Sequence, residues 1–182
     1  YYFYLIKYDY FEIIKFLFND KKIDADLKIE NPTKNEFNFI LNIAADFNNG
    51  KLINFLISDG RTELKPNLFT SCKNLTEIKI PSSINSIQCY AFVDCSSLKK
   101  VAICSPNAII EEGAFKYCSS LVEINIPENT TAINDFVFFG CKSLTKIKIP
   151  QSVTLIKNGS FRGCSSLKEI IFPPTLTGIE SK

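Results

Sequence analysis

The chain has 182 residues, of which 46% are hydrophobic and 22% charged, and its formal net charge is +2. This length is enough for one large or two small cores, and the near-neutral charge lacks the basic footprint of a nucleic-acid-binding protein. The aromatic opening, Tyr1–Ile6, is followed by Lys7 and Asp9 and is far shorter than the ~20 apolar residues of a membrane span. We therefore expect no membrane span and no nucleic-acid partner. The absence of methionine indicates a fragment or a processed piece.

Two segments near the start share one helical pattern. Residues 4–20 and 43–59 overlay with an offset of 39 residues, and apolar residues recur in both at i, i+1, i+4 and i+5. This spacing places them on one face of a helix.

The second segment resembles the ankyrin repeat. Leu41–Ala45 matches the family's L-H-x-A-A, and Leu52–Gly60 matches I-V-x-x-L-L-x-x-G. The departures are Asn42 in place of histidine, a missing T-P, and a unit of 39 residues against the usual 33. We predict ankyrin-like helical repeats over residues 1–60, with a generic pair of helical hairpins as the alternative. The ankyrin resemblance implies an intracellular adaptor.

After a short linker at 61–67, a 23-residue period occupies residues 68–182. Its template is F-x-x-C-x-x-L-x-x-I-x-I-P-x-x-h-x-x-I-x-x-x-A-F, where h is usually apolar, and a fixed period of this length is typical of solenoids. Each L-x-x-I-x-I predicts a short strand with inward isoleucines, and the A-F-x-x-C-x-x-L segment predicts a helical or 3₁₀ turn. The predicted fold is a repeat solenoid, right-handed, with one parallel sheet of about five strands. The strand centres are Ile78, Val101, Ile124, Ile147 and Ile170.

The period resembles the leucine-rich repeats of the BspA-type surface-antigen family over residues 68–180. Departures are Cys104 in place of proline, and Asn107 and Thr130 in the apolar slot. The resemblance implies a surface antigen or adhesin that recognises host or matrix proteins.

Each 23-residue unit is expected to form one turn of the solenoid, here called a coil. Two columns of identical residues define a structural ladder inside the coils. Four rungs span about 14 Å at the ~4.8 Å strand spacing, whereas zinc thiolates lie ~2.3 Å from one metal ion. We therefore predict reduced, buried cysteines that pack as small apolar groups, and no metal or cofactor site. The ladder consists of Cys72, Cys95, Cys118, Cys141 and Cys164, with Phe69, Phe92, Phe115, Phe138 and Phe161.

No pattern predicts catalysis. A nucleophilic Ser or Cys needs a positioned base, and the chain has no histidine. It also lacks a glycine-rich phosphate loop. We therefore predict no enzymatic activity for this 182-residue sequence.

One outward position alternates in charge from coil to coil, at Glu77, Lys100, Glu123, Lys146 and Glu169. On a parallel sheet each charge would stand between two opposite charges. The favoured interpretation is that the column fixes register and keeps the sheet soluble. The alternative is a protein-binding face, which Lys79, Asn125 and Lys148 would extend.

Solenoids commonly bind other proteins. We predict a non-catalytic protein–protein interaction scaffold, with a cell-surface adhesin as the alternative and an enzyme domain outside these residues as a third. Buried thiols and the ankyrin-like unit favour a cytoplasmic location over the cell surface. The last coil, with Phe172 and Ile179, is expected to promote self-association if no neighbour covers it.

Overall fold

The computed structural model describes residues 34–58 and 64–180. The first of these ranges forms a helical hairpin, α1 (Lys34–Asp46) and α2 (Gly50–Ser58). Helix α1 ends in a Schellman turn, in which Asn48 takes a φ of 52° and the Asn49 N–H donates to the Ala44 carbonyl at 2.8 Å. The Asn49 Oδ1 then caps α2 by accepting from the Leu52 N–H at 3.1 Å.

The structure does not support the ankyrin-like repeats predicted for residues 1–60. The first predicted copy, 4–20, lies outside the described residues. In the second predicted copy, 43–59, the described residues belong to two helices joined at Asn48 and Asn49, where the apolar spacing had indicated one helix face. The residues that the structure describes contain two helices.

The hairpin is bonded directly to the first coil. Asn48 Oδ1 accepts from the Thr76 N–H at 3.0 Å, and Asn74 Nδ2 donates to the Asp46 carbonyl at 2.7 Å. Leu64, inside the predicted linker 61–67, is fully buried and forms a parallel bridge with Ile87. One contiguous hydrophobic core therefore includes α1, α2 and the coils.

The parallel solenoid predicted from the 23-residue period is confirmed. Ten short strands, numbered in chain order, form two ladders in which paired residues lie 23 positions apart. The first ladder contains the five predicted strands: β1 (Glu77–Ile80), β3 (Lys100–Ile103), β5 (Glu123–Ile124), β7 (Lys146–Lys148) and β9 (Glu169–Ile171). The second contains β2 (Ser86–Ile87), β4 (Ile109–Ile110), β6 (Ala132–Ile133), β8 (Leu155–Ile156) and β10 (Gly178–Ile179).

The prediction of one sheet was too simple in two ways. The second ladder consists of two-residue strands, too short to produce an alternating pattern that a sequence can reveal. Both ladders are also divided, the second into the sheets β2-β4 and β6-β8-β10 and the first into β1-β3-β5 and β7-β9. The division of the first ladder coincides with β5, which is two residues long because the chain leaves the strand at Asn125.

The part of each coil that contains the A-F-x-x-C motif leads from the second ladder back to the first and is here called the return segment. It is a series of turns. Its phenylalanine N–H bonds the next coil, as when Phe69 donates to the Ala91 carbonyl at 2.8 Å and Phe92 to the Ala114 carbonyl at 2.9 Å.

Two positions per return segment have a left-handed backbone, with φ between 55° and 79°. These rows are Asn67, Tyr90, Gly113, Phe136 and Gly159, and Ser71, Asp94, Tyr117, Gly140 and Gly163.

Candidate functional site

The candidate protein-binding face is the outer side of the first ladder, here called the strand face. Strand β1 shows how it is built: Ile78 and Ile80 are buried, while Glu77 and Lys79 are exposed. Since the coils repeat in register, equivalent positions form two outward columns. One column is Glu77, Lys100, Glu123, Lys146 and Glu169, and the other is Lys79, Ala102, Asn125, Lys148 and Ile171. The structure thus brings all eight predicted residues onto one face.

The alternating charges are mostly unpaired. Lys100 Nζ lies 3.1 Å from Glu123 Oε2, and both side chains are more than half exposed, so this pair contributes only about 0–1 kcal/mol. Within the strand face, Glu77, Lys146 and Glu169 have no partner within 4.0 Å among the described residues. Their charges remain available to a ligand.

Asn125 differs from its neighbours on the strand face. Its Oδ1 accepts from the Ile103 N–H and its Nδ2 donates to the Ile103 carbonyl, both at 2.8 Å. The side chain therefore replaces a backbone pairing where β5 has ended. Its amide is engaged within the molecule.

Two clefts open on the strand face, and the sequence did not reveal either. One, of about 450 Å³, lies between α2 and strands β1 and β3, and its lining includes Lys51, Asn54 and Ala102. The other, of about 340 Å³, lies at the division of the ladder and includes Val122 and Ile171. In the sequence, the signal for the cleft between α2, β1 and β3 was Ala102, the smallest side chain of its column.

The structural ladder lies inside the coils, where the five phenylalanine rings stack. Ring centroids are 5.0 Å apart for Phe69–Phe92 and 5.3 Å for Phe92–Phe115, with interplanar angles of 16° and 8°. The Phe115–Phe138 and Phe138–Phe161 separations are 6.1 and 5.5 Å. The first four rings are fully buried and Phe161 is half-buried.

The cysteines are free thiols, and four of those in the ladder donate hydrogen bonds to the phenylalanine carbonyls of the preceding coil. Cys95 Sγ donates to the Phe69 carbonyl at 3.0 Å, and Cys118 Sγ to that of Phe92 at 3.1 Å. Cys141 and Cys164 repeat the contact to Phe115 and Phe138 at 3.3 and 3.1 Å. Each thiol is thus a donor as well as a packing group.

This environment makes the thiols poor nucleophiles. Hydrogen bonding with the neighbouring thiol, and then burial, raise the pKa of Cys72 and of Cys95. Burial raises the pKa of Cys141, and that of Cys164 to about 11. Since the thiolate is the reactive form, these four groups are inert at neutral pH.

An aromatic cluster on the return segments was also missed. Lys116 Nζ lies 5.2–6.0 Å from the ring centroids of Tyr90, Tyr117, Phe136 and Phe139. The rings come from three coils and hold a cation that the chain itself supplies. The alternation of aromatic residues and glycine along the left-handed rows was the available signal.

In residues 34–58 and 64–180, no group of three or more Cys, Asp or Glu side chains is arranged to hold a metal ion. No helix in the same part of the chain is long and apolar enough to cross a membrane.

Similarity to known proteins is concentrated in the coils. The family pattern described as the BspA type leucine rich repeat region matches residues 33–118 and 92–182, in six copies. No curated protein matches the chain in sequence.

Three solved structures share the fold. A T. pallidum leucine-rich repeat protein is 32% identical over 62% of this chain, with a TM-score of 0.58. A leucine-rich cell surface protein from Faecalibacterium prausnitzii A2-165 is 39% identical over 60%, with a TM-score of 0.54. A leucine-rich repeat protein from Eubacterium ventriosum is 27% identical over 60%, with a TM-score of 0.50.

The chain corresponds to 52% of the T. pallidum protein and to 28% of each of the other two. Together, the matched family pattern, the 23-residue coils and the two parallel ladders establish that the chain belongs to the family of BspA-type leucine-rich repeat proteins.

Proposed function

We propose that the chain is a non-catalytic scaffold that binds another protein through the strand face. The observation that supports this most directly is the set of exposed charges on that face, most of which have no ion-pair partner in the described part of the chain. A column that served register alone would gain from a salt bridge on every rung. The protein makes one such bridge, between Lys100 and Glu123.

Lys146 provides the cleanest test, because it lies on the strand face and has no ion-pair partner among the described residues. Lys146→Glu places a like charge opposite Glu169, its cross-strand neighbour, and should lower the melting temperature by no more than about 2–4 °C, because an exposed cross-strand pair is worth about 1 kcal/mol at most. It should weaken capture of the partner about tenfold or more, with a marked dependence on salt.

The matched control is Lys142→Glu, which makes the same charge change at an exposed position outside the strand face. Partner capture from a cell extract, with immobilised full-length protein, should be reduced by Lys146→Glu and retained by Lys142→Glu. Equal capture by the two folded variants would contradict the strand face as the binding surface and leave the register interpretation.

The location of the protein separates two versions of this function. The seven free thiols favour a reducing compartment, and we propose a cytoplasmic adaptor on that ground. A cell-surface protein is the second candidate, favoured by the 39% identity to a protein described as a leucine-rich cell surface protein. An epitope tag on the full-length protein that external protease removes from intact cells would select the second.

A further inference from the structure

We infer that the cleft between α2 and strands β1 and β3, here called the α2 cleft, binds an acidic peptide segment of the partner. This inference rests on the proposed function and specifies which part of the strand face binds the acidic segment of the partner.

The α2 cleft exists because two positions lack a large side chain. Ala102 occupies the column position that carries Lys79 on one side and Asn125 on the other. At Gly50, the first residue of α2, an added Cβ would meet no atom within 4 Å. The resulting space of about 450 Å³ falls within the usual range of ligand pockets.

The α2 cleft is also the basic part of the strand face. Its walls carry Lys51, Lys79 and Lys100 against one carboxylate, Glu77. Among the described residues, Lys51 and Lys79 have no ion-pair partner, and Lys100 shares its charge with Glu123 at an exposed site. An acidic side chain that entered here would approach up to three ammonium groups.

The second cleft provides an internal comparison. Its lining has Lys146 and Lys148 against Glu123 and Glu169, so its formal charges cancel. The two clefts lie on the same face, yet charge complementarity to an acidic segment is confined to the α2 cleft.

The same charges favour an acidic peptide over a nucleic acid. The carboxylates of Glu77, Glu123 and Glu169 recur on every second rung of the strand face, and they would repel a continuous phosphate backbone. A peptide can instead place its carboxylates in the α2 cleft and its neutral residues along the sheet.

The probe for the experiment is a fluorescein-labelled peptide of alternating glutamate and leucine, compared with one of alternating glutamine and leucine. Binding is measured by fluorescence anisotropy on the 182-residue chain. We expect the glutamate peptide to bind about tenfold or more tightly than the glutamine peptide at low salt, and to lose this advantage as salt screens the lysines.

Two variants address the α2 cleft in different ways. Ala102→Phe fills it without a change of charge, and Lys51→Gln removes an exposed charge without risk to the core. Each should weaken binding of the glutamate peptide about fivefold to tenfold, Lys51→Gln through the loss of roughly one charge-assisted contact and Ala102→Phe because the ring occupies the space that the peptide would enter. Lys148→Gln, in the second cleft, is the matched control and should change the affinity less than twofold.

Equal affinity of Ala102→Phe, Lys51→Gln and wild type would overturn the inference, as would equal binding of the two peptides. Displacement of the peptide by a single-stranded oligonucleotide of matched charge would also overturn it, in favour of a general polyanion surface. These outcomes are independent of the proposed function, because the Lys146→Glu capture experiment can succeed whether or not the α2 cleft binds the peptide.

Discussion

Cysteine and phenylalanine in each coil form one repeated hydrogen-bonding unit. The Phe92 carbonyl accepts from the Cys95 N–H of its own coil at 3.3 Å and from the Cys118 thiol of the next coil at 3.1 Å. A carbonyl has two lone pairs, and burial makes an unmet one costly. Alanine would fill the space without donating, whereas serine would donate with a larger desolvation cost. The thiol suits a core position that needs a weak donor.

The raised thiol pKa values predict how stability depends on pH. Burial holds the pKa of Cys164 at about 11 in the folded protein against a usual value of 9.0, and the pKa of Cys95 and of Cys141 is also raised. Above pH 9 the unfolded chain therefore releases thiol protons that the folded protein keeps. The stabilisation from these groups is fully present below pH 9 and is lost as pH rises towards 11 and beyond.

Each thiol that stays protonated in the folded state should lower the free energy of unfolding by about 1.4 kcal/mol per pH unit in this window. Urea melts between pH 7 and 10.5 measure the slope. Cys141→Ala should make the slope shallower, although the variant is less stable. An unchanged slope in Cys141→Ala would contradict the role of the buried thiols.

The left-handed rows predict where a methyl group is not tolerated. A Cβ added at Gly159 would lie 2.7 Å from ring carbons of Phe136, and the residue has a φ of +61°. Gly159→Ala should therefore destabilise the fold by about 1–3 kcal/mol, the sum of left-handed strain and the clash. Gly50→Ala, where the added group meets open space, should be neutral or slightly stabilising.

Thermal melts of the two alanine variants test this contrast, and Phe136→Ala separates its two causes. In the double variant Phe136→Ala/Gly159→Ala the clash is absent. Gly159→Ala should therefore lower the stability less in the Phe136→Ala background than in the wild-type protein. Additive effects would show that backbone strain accounts for the whole loss.

Among elements, the strands of the first ladder were predictable because each unit offers an alternating L-x-x-I-x-I pattern. The second ladder was not, since two residues such as Ile109–Ile110 carry no period. Helices α1 and α2 illustrate a different limit: the apolar spacing identified helix correctly, but it did not predict the turn at Asn48 and the cap at Asn49 that separate the two helices. The clefts depend on how α2 packs against β1, which no local pattern contains.

The Asn125 side chain completes the hydrogen bonding of the first ladder directly after β5. Asn125→Ala removes both hydrogen bonds to the Ile103 backbone and should cost about 1–3 kcal/mol. Lys148→Ala changes the same position of the next coil, where the side chain makes no hydrogen bond with the described residues, and should stay within about 0.5 kcal/mol of wild type. Chemical denaturation compares the two, and equal stabilities would contradict the proposed role of the amide. Asn125→Asp, which keeps an acceptor and loses the donor, should fall between them.

For the molecule as a whole, stacking unites the helical hairpin and the coils in one core, and each coil buries its apolar side chains against its neighbours. The final coil differs, since Phe172 and Ile179 lie at positions that are buried in the other coils but are 46% and 60% exposed here. A polypeptide of these 182 residues alone should therefore self-associate through this end as its concentration rises. Sedimentation velocity over a hundredfold concentration range should show the average mass increasing.

Replacement of both side chains with charge, as Phe172→Lys/Ile179→Lys, should shift the association midpoint to at least about tenfold higher concentration, because each charge must be desolvated in the contact. Ile109→Lys is the matched control, since Ile109 is 53% exposed but lies between neighbouring coils. It should leave the association midpoint within about twofold of the wild-type value, which is a change of less than about 0.5 kcal/mol in the free energy of association. A monomer at every concentration would contradict the prediction. An effect of Ile109→Lys equal to that of the double variant would instead place the contact on the side of the solenoid, so the end and the side are distinguished by one set of measurements.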